Sequence, residues 1–332
     1  MIELYPLCFS PIFKEKIWGG QKIKNILKKD TGDLANCGES WEISGVAGNI
    51  SEVSNGSLRG EKLDRLIQIY KDQLLGDSVY RKFGDDFPLL IKFIDADEDL
   101  SIQVHPDDAL AMERHNSFGK TEMWYILHAD PGATLISGFN RSMDKESYIE
   151  YFNSGRLGDI LNKENVNKDD VFFLPAGRIH TIGRGLLLAE IQQTSDITYR
   201  IHDFDRIDVN GNKRELHLEQ SLEALDFTHY TEYKTPYESK FNEANPVVEC
   251  KYFRTNILRL DQPILRDYSK IDSFMILIGL EGELQVKYAR HAYSLKKGET
   301  MLIPACLDNI ELLVDQQCKV LETFVPPNKV NR

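Results

Sequence analysis

The feature that most constrains this chain is the shape of its apolar runs. They are short, rich in β-branched and aromatic residues, and repeatedly cut by Gly, Pro, Asp and Asn. PLLIKFI (88–94), EMWYIL (122–127), DVFFLP (170–175), LLLAEIQQTSDITYRI (186–201), RTNILRL (254–260), SFMILIGL (273–280), GELQVKY (282–288) and ETMLIPA (299–305) all read this way. Such segments are strands. Many short strands with frequent turns pack as sandwiches or barrels, whereas a parallel sheet would need alternating helices. The expected class is therefore mainly β. Helical patterns are fewer, at 60–75, 107–115, 143–155 and 215–227. They read as insertions on a β scaffold, concentrated in the N-terminal part.

A chain of 332 residues exceeds one compact domain. The polar, aromatic stretch HYTEYKTPYESKFNEANP (229–246) has no clear periodicity and reads as a crossing. It divides the chain into expected domains at 1–235 and 236–332. A faint internal echo supports two related units. KDDVFFLPAGRIH (168–180) and KKGETMLIPACLDN (296–309) each run from a charged turn through an apolar strand into Pro-Ala. Five residues after the proline stands His180 in the first and Asn309 in the second. The second unit is thus expected to lack metal ligands.

Net charge of −12 argues against a nucleic-acid partner, which needs a positive face. A small anionic substrate would have to be met by a local cluster of Lys and Arg. The N-terminus has no basic start followed by an apolar run, so no signal peptide is expected. FMILIGL (274–280), among the longest apolar runs, is too short to span a bilayer. The five cysteines are scattered and form no C-x-x-C, which fits a reducing cytoplasm. Phosphate-loop, dinucleotide and nucleophile-elbow motifs are absent from the sequence.

Three clusters carry possible chemistry. In SIQVHPDD (101–108), Gln103 and His105 are two apart, and strand residues at i and i+2 share a face. Glu122 follows on the next clear strand, and His180 closes PAGRIH (175–180). Together they offer O, N, O and N donors without a thiolate, the set of an open, water-bearing metal site. In EIQQTSDITYR (190–200), Glu190, Gln192, Thr194, Asp196, Thr198 and Arg200 share one face if the strand is regular, lining either a polar pocket or solvent. Arg200 suits an anionic intermediate or a phosphate. Lys120 lies two before Glu122 and could carry a proton. Lys92, inside an apolar strand, either faces out or reaches into a pocket.

SIQVHPDD, GKTEMW (119–124), PAGRIH and YRIHDFDR (199–206) followed by RELHLEQSLEALD (214–226), with IWGG (17–20) and GESWEIS (38–44) upstream, resemble type I mannose-6-phosphate isomerase in its short bacterial form. The motifs span about two thirds of the chain. The resemblance implies two cupin-like jelly rolls and one Zn2+ per chain held by Gln103, His105, Glu122 and His180. It implies interconversion of mannose 6-phosphate and fructose 6-phosphate through an enediol. By position, Arg200, Lys120 and Asp196 would be catalytic. The proton carrier stays open between the last two. Lys92, Ser101 and Arg178 would meet the substrate. The chain departs from the pattern at Gly119-Lys120-Thr121-Glu122, where many members have His-Lys-Pro-Glu. The competing readings are a non-catalytic cupin that binds a sugar or sugar phosphate, and a metal oxygenase, against which Gln103 and the cations speak. The protein is expected to be a monomer or weak homo-oligomer.

Overall fold

The computed structural model describes residues 2–207 and 211–327. Met1, 208–210 and 328–332, which belong to the two expected domains, lie outside the described residues. Among the described residues, eleven strands make up the first part: β1 (Ile12–Gly20), β2 (Cys37–Ile43), β3 (Leu89–Ala96), β4 (Ile102–Val104), β5 (Glu122–Ala129), β6 (Thr134–Phe139), β7 (Leu161–Asn165), β8 (Val171–Leu174), β9 (His180–Ile182), β10 (Leu186–Gln193) and β11 (Tyr199–His202). They form a six-stranded sheet, β1-β2-β3-β10-β5-β8, facing a five-stranded one, β11-β4-β9-β6-β7. The remaining strands are β12 (Ala244–Glu249), β13 (Arg254–Leu260), β14 (Ile264–Asp267), β15 (Met275–Glu281), β16 (Glu283–Tyr288), β17 (His291–Lys296), β18 (Thr300–Ile303), β19 (Asn309–Leu313) and β20 (Cys318–Phe324). They form sheets β12-β13-β20-β15-β18 and β14-β19-β16-β17. All strand pairings in these sheets are antiparallel.

The two sheet pairs repeat one topology. The run β3-β10-β5-β8 has the same order as β13-β20-β15-β18, and β4-β9-β6-β7 the same as β14-β19-β16-β17. The echo between 168–180 and 296–309 is the visible trace of this repeat, with β8 and β18 in equivalent places.

Period-two alternation explains why the central strands are apolar on both faces. On β3, β5 and β10, the side chains of Ile91, Phe93, Met123, Tyr125, Leu187 and Ile191 point out of the first barrel. They pack with Ile257, Ile276, Ile278 and Leu321 from the second barrel in one continuous core. The N-terminal segment crosses into this seam, where Leu7 and Leu302 exchange backbone hydrogen bonds at 2.8 Å each. The alternate residues Ile94, Trp124, Ile126 and Leu188 fill the first barrel instead.

Helices decorate the first part: α1 (Lys22–Asn25), α2 (Leu63–Tyr70), α3 (Asp72–Leu75), α4 (Asp77–Phe83), α5 (Asp108–His115), α6 (Lys145–Asn153) and α7 (Leu218–Ala224). The helix expected at 60–75 is two, because Lys71 has a left-handed φ of 48° and ends α2. Asp107 and Asp144 cap α5 and α6, accepting from Leu110 N and Ser147 N.

The stretch expected as one strand over 186–201 is also two. β10 ends at Gln193, and the chain turns a corner before β11 starts in the opposite sheet. Gln192 holds that corner, its amide nitrogen donating to Gln193 O at 2.8 Å and Ser195 O at 2.6 Å.

The second barrel is closed internally by a buried acid. Glu322, fully buried, accepts a bidentate pair from Arg266 at 3.0 and 2.8 Å. Tyr268 Oη donates to it at 2.7 Å and Asn256 Nδ2 at 3.1 Å. Removing one partner of such a pair strands the other charge, at a cost of roughly 3–5 kcal/mol. Arg266→Met is therefore expected to lower stability by about that amount, measured by urea unfolding. An unchanged midpoint would refute this account of the second barrel.

Candidate active site

The register of the first barrel brings two rows of side chains face to face. In antiparallel pairing, directly opposed residues share a face. Across the six-stranded sheet run Lys92 on β3, Glu190 on β10, Trp124 on β5 and Phe172 on β8, each opposite the next. Across the five-stranded sheet run Arg200 on β11, Gln103 on β4 and His180 on β9. His105 follows β4 directly, and Glu122 opens β5 two residues before Trp124.

His105, Glu122 and His180 converge. One donor atom from each lies within 4.8 Å of the others, and all three residues are buried. Their second bonds fix which nitrogens face inward. His105 Nδ1 meets Ile197 O at 2.9 Å and His180 Nδ1 meets Arg178 O at 2.8 Å. A carbonyl only accepts, so both Nδ1 atoms carry the proton and both Nε2 atoms turn a lone pair toward the carboxylate. Those Nε2 atoms stand 3.6 and 3.4 Å from the Glu122 oxygens. Burial is the main cause that pushes both imidazoles below their ordinary value, His180 to about 4, and keeps them neutral. Gln103 reaches the same point, its Nε2 lying 3.3 Å from His180 Nε2. A half-turn of that amide offers its carbonyl oxygen instead.

These residues fit a bound cation. Neither oxygen of the fully buried Glu122 has a hydrogen-bond partner of good geometry. Burial first, and then the neighbouring Glu190, hold its carboxyl up at about 7, against the pull of Lys120 and Lys92. Two imidazole lone pairs and a carboxylate are ordinary zinc donors. The ammonium of Lys120 stands against this donor set, 3.0 Å from His105 Nε2 and 2.8 Å from Glu122 Oε2.

Beside the donors lies a cavity of about 270 Å³, which brings together Lys92, Ser101, Gln103, Lys120, Asp196 and Arg200. Lys92 reaches in rather than out. Its Nζ lies 3.2 Å from Glu190 Oε1 and 5.0 Å from the Trp41 ring centre. Burial opposes its charge, but Glu190, Glu39, Asp196 and Glu122 outweigh burial and raise its pKa. Glu190, also bonded by Trp124 Nε1 at 2.9 Å, is held below the usual carboxylate range by Lys92 and Lys120 in spite of burial. Asp196 is exposed, at the corner between β10 and β11. The polar face expected from a single regular strand thus reaches the cavity from two sheets. Glu190 comes from β10, Arg200 from β11, and Asp196 and Thr198 from the corner.

Arg178 does not line this cavity. Its guanidinium stacks on Tyr230 and Tyr233, 4.4 and 5.1 Å from the ring centres, and donates to Phe173 O at 3.1 Å. What it offers the site is its backbone oxygen, which orients His180.

The sequence reading assigned no role to Lys16, Trp18, Glu39 or Arg214, which also line the cavity. Trp18, Glu39 and Arg214 sit in the IWGG, GESWEIS and RELHLEQ motifs, the only signal that could have found them. With them the walls carry five cations (Lys16, Lys92, Lys120, Arg200, Arg214) against three carboxylates (Glu39, Glu190, Asp196). Counting Glu122, which pairs with Lys120, and Asp203 and Arg206, which pair beside Arg214, the surroundings hold six cations to five carboxylates. Near Arg200, the Asp203 carboxylate accepts from Arg206 Nη2 at 2.6 Å and Arg214 Nε at 2.7 Å. Arg200 itself donates through Nη1 to Glu215 O at 2.8 Å, and its buried Nε has no hydrogen-bond partner.

The second barrel has no comparable donor set among the described residues. By register, Arg266 and Ile310 oppose each other where Gln103 and His180 do in the first, and Met275 opposes Ile303 as Glu122 opposes Leu174. The inward counterpart of His180 is the buried Ile310, while Asn309 faces solvent. The sequence count pointed one residue short because the second loop is one residue longer.

The profile for "Phosphomannose isomerase type I, catalytic domain" matches residues 7–125, and that for "Mannose-6-phosphate isomerase, cupin domain" matches residues 243–322. The mannose-6-phosphate isomerase ManA of Bacillus subtilis (strain 168) is 35% identical over 318 residues, covering 95% of this chain and 98% of that protein. A mannose-6-phosphate isomerase of Streptococcus mutans is 33% identical over 300 residues, with 90% and 92% covered. The crystal structure of the mannose 6-phosphate isomerase from Bacillus subtilis superposes with a TM-score of 0.86 at 31% identity, covering 96% of this chain and 99% of that one. This chain therefore belongs to the type I phosphomannose isomerase family of enzymes.

Proposed function

We propose that the protein interconverts mannose 6-phosphate and fructose 6-phosphate through an enediol, with one Zn2+ held by Gln103, His105, Glu122 and His180. The observation that carries this reading is the convergence of His105, Glu122 and His180 at the edge of a cation-rich cavity that also holds Lys120, Asp196 and Arg200. Relatives matched over nearly their whole length bear the name of that reaction.

Bound among these donors, zinc would supply a positive charge that polarises the sugar oxygens at C1 and C2. The chain's own residues do the rest. The reaction takes a proton from C2 and returns one to C1, while negative charge grows on oxygen. Arg200, with its unpaired buried Nε, is the permanent donor for that oxygen. Asp196 can accept the C2 proton as a carboxylate, whereas Lys120 must first release one of its own. We retain both as carriers. Lys92, on β3, and Ser101, just before β4, face the substrate in the cavity. The excess of cations toward Arg200 and Arg214 suits the phosphate dianion. Arg178, expected among the substrate residues, belongs to this reading only through the carbonyl that holds His180. The catalytic unit is assigned to 1–235, and 236–332 to a supporting cupin-like domain. The five cysteines are unpaired, which agrees with a cytoplasmic setting.

Chelation is expected to abolish isomerisation in a coupled assay for fructose 6-phosphate. Zinc should restore it at one ion per chain. Folded, zinc-loaded protein without activity would return the chain to the sugar-binding alternative. Arg200→Ala should lower kcat by about 10²–10³-fold with zinc still bound, the range for removing one donor to a developing oxyanion. Near-normal turnover would remove Arg200 from catalysis. Asp196→Asn and Lys120→Met separate the proton carriers. The variant that loses exchange of the C2 proton with solvent, measured by deuterium incorporation, identifies the residue that carries it, and loss in neither excludes both.

A further inference from the structure

The second barrel reaches the active-site loop through one carboxylate. Asp108 opens α5, three residues after His105. Tyr252, from the turn between β12 and β13, donates its hydroxyl to Asp108 Oδ2 at 2.6 Å. The neighbouring Lys251 Nζ lies 3.3 Å from the same oxygen. The other oxygen, Oδ1, faces the first barrel. It accepts from Gln193 Nε2 at 2.8 Å and from Gly119 N at 3.2 Å.

Those two donors hold the segment that carries Lys120. Gln193 turns its amide oxygen to Thr121 N at 2.9 Å, and its backbone N donates to Thr121 O at 3.2 Å. Lys120 N donates to Pro106 O at 3.1 Å. The backbone groups of 119, 120 and 121 are therefore bonded on both sides of the lysine, those of 119 and 121 through Asp108 or Gln193, while Ala176 N also donates to the Thr121 hydroxyl at 3.3 Å. The departure from the family pattern is what permits this. At 119 a Cβ would lie 2.6 Å from the backbone of Asp107 and Asp108, so only glycine allows the approach. At 121 a proline would have no N–H to give Gln193.

We propose that Asp108, anchored by Tyr252 of the second barrel, is a positioning residue that sets the 119–121 segment and so aims the Lys120 ammonium at His105, Glu122 and the cavity. The proposal rests on the isomerase reading for the consequence of that aim, and it gives the second barrel a part in the reaction. Lys120 has a long side chain whose placement depends on its backbone, and small displacements of a reacting group cost rate.

The test is Tyr252→Phe, which keeps the ring and removes only the hydroxyl, in the full zinc-loaded chain. Two quantities are read: steady-state isomerisation, and amide hydrogen exchange over residues 117–123. The expected result is a fall in kcat of about tenfold, the low end of what losing an outer-shell partner costs. KM and bound zinc should stay within about twofold of the parent. Exchange over 117–123 should accelerate. Asp108→Asn should lose at least as much kcat. The double variant should lose no more than Asp108→Asn, because both act through one carboxylate. Unchanged kcat in Tyr252→Phe overturns the proposal whatever exchange does, and so do losses that multiply in the double variant. Should the parent chain fail to isomerise the sugar phosphate, the function reading falls by itself. Exchange then decides the clamp: acceleration upholds it and no change overturns it.

Discussion

Everything in the first barrel is arranged around four buried charges. Lys92, Lys120, Glu122 and Glu190 are each 5% exposed or less. Burying any one of them alone costs several kcal/mol. Together, two ammoniums and two carboxylates cancel, with Lys92 against Glu190 and Lys120 against Glu122. The balance is uneven in a useful way. Glu190 has two partners, Lys92 and Trp124, and stays ionised. Glu122 gets too little compensation from one lysine and keeps its affinity for more positive charge. The register of β3, β10 and β5 puts these charges side by side. A one-residue slip would turn them into the apolar seam against the second barrel.

The second barrel has the same topology and settled its polar interior differently. Where the first leaves a carboxylate short of partners, Glu322 is saturated by Arg266, Tyr268 and Asn256. A guanidinium occupies the register position of Gln103, and Met275 and Ile310 stand in the positions of Glu122 and His180. One copy of the fold keeps unsatisfied donors and a cavity. Its relative has spent the same positions on rigidity, and it supports the first through a broad apolar contact and the Tyr252–Asp108 bond.

Much of this was legible in the sequence, for reasons that also explain the failures. β3, β5, β8 and β13 were readable because burial on both faces gives unbroken apolar runs. β1 (IFKEKIWGG) and β2 were not, since the edge position lets β1 carry Lys and Glu on a partly exposed face. The span 186–201 looks continuous in sequence because Ile197 and Tyr199 resume the apolar pattern, while the corner is fixed by Gln192 bonds that composition does not reveal. The i, i+2 spacing of Gln103 and His105 was informative because it holds in any extended segment. Arg178 was not readable, since its direction is decided by Tyr230 and Tyr233, more than fifty residues away. Glu39 and Trp18 reach the cavity only because β1 and β2 join the same sheet as β3.

The crossing of the N-terminal segment has a consequence for how the chain is made. Leu4, Leu7 and Phe9 leave the ribosome well before Phe274, Ile276, Leu302 and Leu321, yet all of them belong to one core. At translation rates of about 5–20 residues per second, they wait roughly 15 to 60 seconds for Leu302. The first barrel can assemble its cavity in that interval, but its outer face stays apolar and open until the last strands arrive. The nascent protein is therefore most in need of a chaperone when its first barrel is already shaped, and the strands between Thr300 and Phe324 are what cover that apolar face.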